Sequence, residues 1–133
     1  MKAKTTGSER SREQAYVLLG ERRDGLWLAR AHWPSRGGRT SVSFDWERVL
    51  QREESRGDVV GFLHTHPGFS PSPSARDDRT MESWCISFDK ALLCVISSGD
   101  DIRAWVYTAN GTAPREADRV AQFSNRWLVV TES

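Results

Sequence analysis

The sequence predicts a single domain of the mixed α/β class, in which a sheet packs against helices. Patterns typical of β-hairpins occur in the first and last thirds of the chain, and segments with helical spacing of apolar residues lie between and after them. A chain of 133 residues is long enough for one hydrophobic core and too short for two. We therefore predict one domain over residues 1–133.

Composition and charge exclude several classes of protein. The hydrophobic fraction of 38% and the charged fraction of 28% argue against a disordered or fibrous chain. A net charge of +1 predicts no nucleic-acid or membrane partner. There is no apolar run of the roughly 20 residues that a membrane helix needs, and the first residues lack a signal peptide's hydrophobic region, so we expect a cytoplasmic protein. Cys85 and Cys94 are expected to be buried thiols.

The first half of the chain reads as a hairpin, a short strand, a helix and a buried strand. Residues 15–20 and 26–33 form the hairpin, and residues 34–39 a loop. Ser41, Val42, Ser43 and Phe44 alternate as in an edge strand. Asp45 is a predicted N-cap for a helix over residues 46–55, which Gly57 ends. Residues 58–64 form an apolar strand that carries His64 at its end.

The second half predicts two helices and another hairpin. A helix over residues 77–84 has Met81 and Trp84 on its apolar side. Residues 91–96 and 102–107 form a hairpin around the turn at residues 97–101. A helix is predicted near residues 116–123, before the apolar segment at residues 127–130.

His64, His66 and Asp77 form a candidate metal site. Side chains two residues apart on a strand point to the same side, so the two imidazoles can share one ion. Asp77 supplies a third ligand if the proline-rich loop folds back. Imidazole and carboxylate suit Zn²⁺, and three protein ligands leave the fourth position for a catalytic water. A structural zinc site usually contains cysteine, and none is near.

Each part of this pattern also has an ordinary interpretation. A His-x-His pair is more often two surface or core histidines than a zinc site. Ser74 and Asp77 have the spacing of a helix capping box. His32 lies outside the pattern and is expected to be a surface or core residue.

Taken together, the residues resemble a known signature. His64-Thr-His66, seven residues, Ser74, two residues and Asp77 resemble the motif of the JAMM metalloproteases, also called the MPN⁺ or JAB domain family. The resemblance implies a cytidine-deaminase-like fold, with a curved mixed sheet flanked by helices and one catalytic zinc. It also implies hydrolysis of peptide or isopeptide bonds after the C-terminal glycine of ubiquitin-like proteins.

The resemblance implies two further catalytic residues. Glu13, seven residues before Gly20, matches the general base that also returns the proton, and Ser74 matches the donor to the oxyanion. The segment before Glu13 is shorter and more polar than in the family, and the residues after it are larger than usual. Glu21 is the second candidate for the base, although it follows the strand rather than preceding it.

The implied partners are a ubiquitin-like protein or its conjugate, together with the activating and conjugating proteins of such a system. Ser41, Val42, Ser43 and Phe44 are the edge that we expect to hold an extended glycine tail. An ordinary loop or strand is an equal interpretation of that segment. Removal of conjugates in a bacterial ubiquitin-like system is the leading function; maturation of a ubiquitin-like or sulfur-carrier precursor and a non-catalytic scaffold are the alternatives.

Overall fold

The computed structural model describes residues 14–36, 45–66, 72–99 and 101–132. Within these ranges, one mixed sheet packs against two helices, as the predicted α/β class requires. The strands are β1 (Gln14–Arg23), β2 (Leu26–Arg36), β3 (Val59–Thr65), β4 (Leu92–Ser98), β5 (Asp101–Tyr107), β6 (Arg115–Glu116), β7 (Arg119–Gln122) and β8 (Trp127–Thr131). The helices are α1 (Trp46–Arg56) and α2 (Ala75–Phe88).

The strand order is β6-β5-β4-β3-β1-β2-β8-β7. Strands β3 and β4 are parallel, whereas the other neighbouring pairs are antiparallel. A parallel pair needs a crossover connection, and α2 lies in the segment that provides it. The carboxyl ends of β3 and β4 therefore lie at the same edge of the sheet, next to the start of α2.

The two faces of the sheet bury separate hydrophobic clusters. Phe62 packs on one face with Val49 of α1 and Trp84 of α2. Trp46 stacks on Trp84 with ring centroids 4.2 Å apart, which joins the two helices above β3. On the other face, one cluster contains residues of both β5 and β8, which are far apart in the strand order. The sheet must therefore curl around this second cluster.

Sequence signals at the ends of α1 and in the first hairpin turn agree with the structure. Helix α1 begins after Asp45, whose carboxylate accepts a hydrogen bond from the Arg48 amide, and ends at Gly57 with a φ of 66°. Strand β1 continues to Arg23, so the hairpin turn contains only Asp24 and Gly25, both with positive φ. Asp-Gly is a favoured pair for such two-residue turns.

The prediction of a helix near residues 116–123 is wrong. This stretch ends β6 and contains all of β7. Its residues favour a helix locally, but Glu116 pairs with Trp105 of β5 and Val120 pairs with Val130 of β8. Pairing with distant strands overrides local propensity here.

The prediction of a loop over residues 34–39 is wrong for residues 34–36, which are strand. Strand β2 runs through Pro34 to Arg36, and its register against β1 shifts around Trp33, which has a φ of 53°. A bulge of this kind accommodates a proline within a strand. Ser41, Val42, Ser43 and Phe44 lie outside the described residues.

Two smaller predictions concern the thiols and the membrane. Cys85 and Cys94 are buried and form no disulfide. Burial raises the pKa of the Cys85 thiol to about 11 and that of Cys94 well above its usual value, so both are protonated at neutral pH. None of the helices in the described part of the chain has the length and apolar character needed to span a membrane.

Candidate metal centre

Strand β3 delivers His64 to the edge of the sheet below α2. The strand is buried through His64, and Gly61 allows its close approach to β4, since a Cβ at Gly61 would lie 2.0 Å from the Leu93 carbonyl oxygen. Phe62 lies in the helix-covered core, so alternation along the strand places His64 on the same face. Only 8% of the surface of His64 is exposed.

His66 lies one residue past the end of β3 but remains attached to the sheet. Its backbone amide donates to the Ser97 carbonyl at 2.9 Å, which extends the parallel pairing with β4. The rings of His64 and His66 have centroids 6.3 Å apart and planes inclined by 58°. Hydrogen bonds to neighbouring strands therefore hold the backbones of both histidines in the sheet.

Asp77 reaches the two histidines from the first turn of α2. Its carboxylate accepts a hydrogen bond from the Ser74 amide at 2.9 Å, and its own amide donates to Ser74 Oγ at 3.1 Å. This is the capping box that the spacing of Ser74 and Asp77 predicted as an alternative. The box fixes the orientation of the Asp77 side chain as well as the start of the helix.

The three side chains converge on one point. Asp77 Oδ1 lies 3.4 Å from His64 Nδ1, and Asp77 Oδ2 lies 3.5 Å from His66 Nε2. One ligand atom from each residue can be chosen so that all lie within 4.8 Å of one another. The structure thus brings together His64, His66 and Asp77, although ten residues separate His66 from Asp77 in the sequence.

The spacing fits a shared ion better than direct hydrogen bonds. Good N–H···O bonds measure about 2.7–3.2 Å. Ligand atoms about 2.0–2.1 Å from a tetrahedral zinc lie about 3.3 Å from one another. The separations of 3.4 and 3.5 Å, which involve the two different oxygens of Asp77, are close to that distance, and the imidazole and carboxylate donors are those that zinc accepts. The residues present therefore fit zinc.

The electrostatics keep Asp77 ionised. Burial by itself would raise the pKa of its carboxyl group, but His64, His66 and the Ser74 amide together outweigh burial and hold that pKa well below its usual range. The carboxylate is consequently available as an anionic ligand throughout the neutral range.

The two candidates for the general base are Glu13 and Glu21, and only Glu21 is among the described residues. Glu13 lies outside the described residues, but the next residue, Gln14, donates its amide to Thr65 Oγ1 at 2.9 Å. Ala15 pairs with His64, so the start of β1 lies beside the candidate metal site. Glu21 is six residues further along β1, about 20 Å from that edge, and is excluded as the base.

Two further residues are His32, which the sequence placed outside the motif, and Tyr107, which the sequence did not single out. His32 lies on β2, half-buried, and takes no part in the cluster of ligands. The buried hydroxyl of Tyr107 donates to Asp78 at 2.5 Å and anchors the first turn of α2. A tyrosine 29 residues from its partner carries no local signal of this contact.

A comparison with known families agrees with this geometry. The family described as prokaryotic homologues of the JAB domain matches residues 4–108. The chain belongs to this JAB domain family. The match includes the whole segment from Glu13 to Asp77, and the JAB family includes metalloproteases.

The family assignment depends on this match alone. The solution structure of protein DSY2949 from Desulfitobacterium hafniense is similar over 86% of this chain and 83% of that chain, with 21% identity and a TM-score of 0.47. The search of curated proteins produced no match.

Proposed function

We propose that this JAB-domain protein is a zinc-dependent peptidase that hydrolyses the bond after the C-terminal glycine of a ubiquitin-like protein. The observation that supports this most strongly is the convergence of His64, His66 and Asp77 within 4.8 Å at an edge of the sheet. His64 and His66 would supply neutral nitrogen ligands and Asp77 an anionic oxygen ligand. Three protein ligands are typical of catalytic rather than structural zinc.

The bound zinc would supply Lewis acidity. It would lower the pKa of a coordinated water from 15.7 toward about 7 and polarise the scissile carbonyl group. Every other part of the mechanism belongs to residues of this chain.

Glu13 is proposed as the general base that takes a proton from the attacking water and then gives it to the leaving amine. Chain connectivity supports this role, because Glu13 directly precedes Gln14, the first residue of β1. The Thr65 hydroxyl in turn binds the Gln14 amide, and Thr65 lies between the two histidines. The bond thus joins the residue after Glu13 to the His-Thr-His segment.

Ser74 is proposed as the hydrogen-bond donor to the oxyanion of the tetrahedral intermediate. Its capping bond uses a lone pair of Oγ to accept from the Asp77 amide, and this leaves the hydroxyl hydrogen for another acceptor. Capping and oxyanion stabilisation can therefore coexist in one side chain. The capping box holds Ser74 next to the ligand Asp77.

The substrate tail is proposed to bind as an added strand along Ser41, Val42, Ser43 and Phe44. A glycine-rich tail offers little side chain, so an enzyme must recognise its backbone. Ser35 and Asp45, which flank this segment in the chain, both line a cavity of about 420 Å³ between β1, β2 and α1. Val17 also lines this cavity, on the helix-covered face that carries His64.

The test is cleavage of two substrates by the zinc-loaded protein. One is a ubiquitin-like protein fused through its final glycine to a reporter, and the other is the same protein joined by an isopeptide bond to a lysine side chain. We expect cleavage that a chelator stops and added zinc restores. Cleavage of the isopeptide indicates removal of conjugates, whereas cleavage of the fusion alone indicates maturation of a precursor.

Single substitutions test which residues bind zinc and which act in catalysis. His66→Gln should lose both zinc and turnover, while His32→Gln, which changes a histidine outside the cluster, should keep both. Glu13→Gln should bind zinc yet lose turnover, and full activity would show that another group is the base. Stoichiometric zinc at the cluster without cleavage of either substrate would identify a scaffold and refute the proposed peptidase.

A further inference from the structure

A second cavity lies on the face of the sheet opposite the metal cluster. Its volume is about 150 Å³. Thr65 lines it, and Thr65 points away from the face that carries His64 because side chains alternate along β3. The cavity forms where the curl of the sheet brings the β7–β8 connection over the ends of β1, β3 and β4. It is therefore distinct from the proposed active site.

The lining has an apolar part and a polar part. Ala31, Leu63 and Leu128 provide aliphatic surface, and Tyr16 provides an aromatic ring. Thr65, Ser97 and Gln122 provide hydroxyl and amide groups, and Arg126 provides the charge. No carboxylate lines this cavity among the residues that the structure describes. A ligand with a small apolar body and one negative group would match both parts.

Arg126, like Arg48 over Trp33, lies over an aromatic ring and takes part in no ion pair between the described residues. Other arginines, such as Arg22, form an ion pair with a carboxylate. The ring beneath Arg126 is that of Tyr16, whose centroid is 5.3 Å from the guanidinium carbon. A guanidinium group stacked in this way keeps its planar N–H edges available for two hydrogen bonds to a carboxylate.

The backbone that presents Arg126 is strained. Asn125 and Arg126 have φ values of 63° and 66°, and two consecutive residues other than glycine rarely adopt this conformation. Both residues belong to the 3₁₀ turn Ser124–Arg126, none of whose residues is buried, so packing of these side chains in the core does not account for the strain. Strain of this kind often occurs where a side chain must be aimed at a ligand.

We propose that this cavity binds the carboxylate of a small acid with an apolar body, through Arg126 and the hydroxyl of Ser97, since the Thr65 hydroxyl already bonds to Gln14. Such a carboxylate belongs either to a free organic acid or to the end of a polypeptide. Binding here does not depend on the proposed peptidase activity, because the cavity and the metal cluster lie on opposite faces.

The test is a titration of the ¹⁵N-labelled, metal-free protein with benzoate, and with benzamide as the neutral analogue of the same shape. We expect saturable shifts of the amide signals of Thr65, Ser97, Gln122 and Arg126 with benzoate, and binding of benzamide at least about tenfold weaker. A parallel titration with N-acetylphenylalanine distinguishes the sources. Tighter binding of benzoate favours a free acid, and tighter binding of N-acetylphenylalanine favours a chain end.

Arg126→Gln should weaken binding of the preferred acid by about tenfold or more. Arg119→Gln, which removes an exposed arginine of β7 that does not line the cavity, should leave it unchanged. Equal binding by the Arg126 variant would overturn the proposal. So would shifts confined to His64, His66 and Asp77, or the lack of any saturable shift.

Discussion

Two carboxylates in this protein are equally buried but have different partners. The side chains of Asp77 and Glu132 are each 8% exposed, and nitrogen atoms from two or more side chains surround each of them. Asp77 faces His64 and His66 at 3.4 and 3.5 Å. Glu132 accepts hydrogen bonds from Arg22 at 2.8 and 3.0 Å.

The type of nitrogen partner distinguishes the two sites. Arg22 and Trp27, which donates to Glu132 at 2.6 Å, carry N–H groups without a lone pair for a metal. Their short bonds satisfy Glu132 and tie β1 and β2 to the end of the chain. Each imidazole around Asp77 has a nitrogen that can bind a metal, at a spacing too long for a good hydrogen bond. Burial and low pKa alone would not separate a structural anchor from a candidate metal ligand.

The largest expected effect tests this distinction directly. Asp77→Asn keeps the shape of the side chain but removes the anionic ligand, so zinc affinity should fall well beyond the roughly 100-fold that loss of a supporting residue causes. Competition with a chromophoric chelator measures the change. Glu132→Gln is the matched control and should leave zinc affinity within about twofold. Equal zinc affinity for the Asp77 variant and the unaltered protein would refute the metal site.

Ser74→Ala tests whether the residue beside Asp77 acts in catalysis as well as in capping. Loss of an oxyanion donor should lower kcat about 100-fold, whereas loss of the cap should lower the free energy of unfolding by about 1 kcal/mol. Steady-state kinetics and denaturant titration measure the two effects separately. An unchanged kcat with reduced stability would leave Ser74 as a helix cap alone.

Glu132→Gln should affect folding rather than metal binding. Replacing the carboxylate weakens charge-assisted bonds to Arg22 and Trp27, and we expect a loss of about 1–2 kcal/mol in the free energy of unfolding, since Arg22 is partly exposed. Urea denaturation with zinc absent measures this. No loss of stability would mean that the bonds around Glu132 contribute little, and the comparison with Asp77 would fail.

The difference in stability between the unaltered protein and Glu132→Gln should depend on pH. The hydrogen bonds from Arg22 lower the pKa of the Glu132 carboxyl group, burial raises it, and the bond from Trp27 lowers it further. The bonds from Arg22 have the largest effect, so the pKa lies below the reference value of 4.5. Stabilisation by ionised Glu132 is therefore complete above about pH 4.5 and is lost as the pH falls through its lower folded-state value. The stability difference between the unaltered protein and Glu132→Gln should shrink as the pH falls below 4.5. A difference that grows on acidification would contradict the assignment.

Tyr107→Phe is expected to have the smallest effect on the metal site. The lost hydroxyl frees Asp78 and loosens the first turn of α2, so zinc affinity should fall by a few-fold, less than the roughly tenfold typical of a direct supporting residue. Chelator competition measures the change, and Tyr16→Phe, on the other face, is the control. A loss of stability with unchanged zinc affinity would make this bond structural only.

The sequence predicted the parts of the site that local patterns encode. The pair His64 and His66 follows from alternation along an apolar strand, and Ser74 with Asp77 from the capping-box spacing. The boundaries of α1 followed from Asp45 and Gly57 in the same way. The roles of Glu13 and of Ser41–Phe44 remain predictions, because those residues lie outside the described ranges.

Other features required contacts between distant segments. The stretch at residues 116–123 has helical propensity, yet partners on β5 and β8 make it strand. The bond from Tyr107 to Asp78 and the placement of Arg126 over Tyr16 have no signal in the neighbouring sequence.

By itself, the sequence determined the candidate ligands and the elements that carry them, because strand and helix periodicity act over a few residues. Only the tertiary structure decided that Asp77 meets both histidines at 3.4 and 3.5 Å, and that the curled sheet encloses a second cavity. The distances depend on how α2 packs against β3, and the cavity depends on how the β7–β8 connection packs over the sheet. Both kinds of packing join segments that are far apart in the chain.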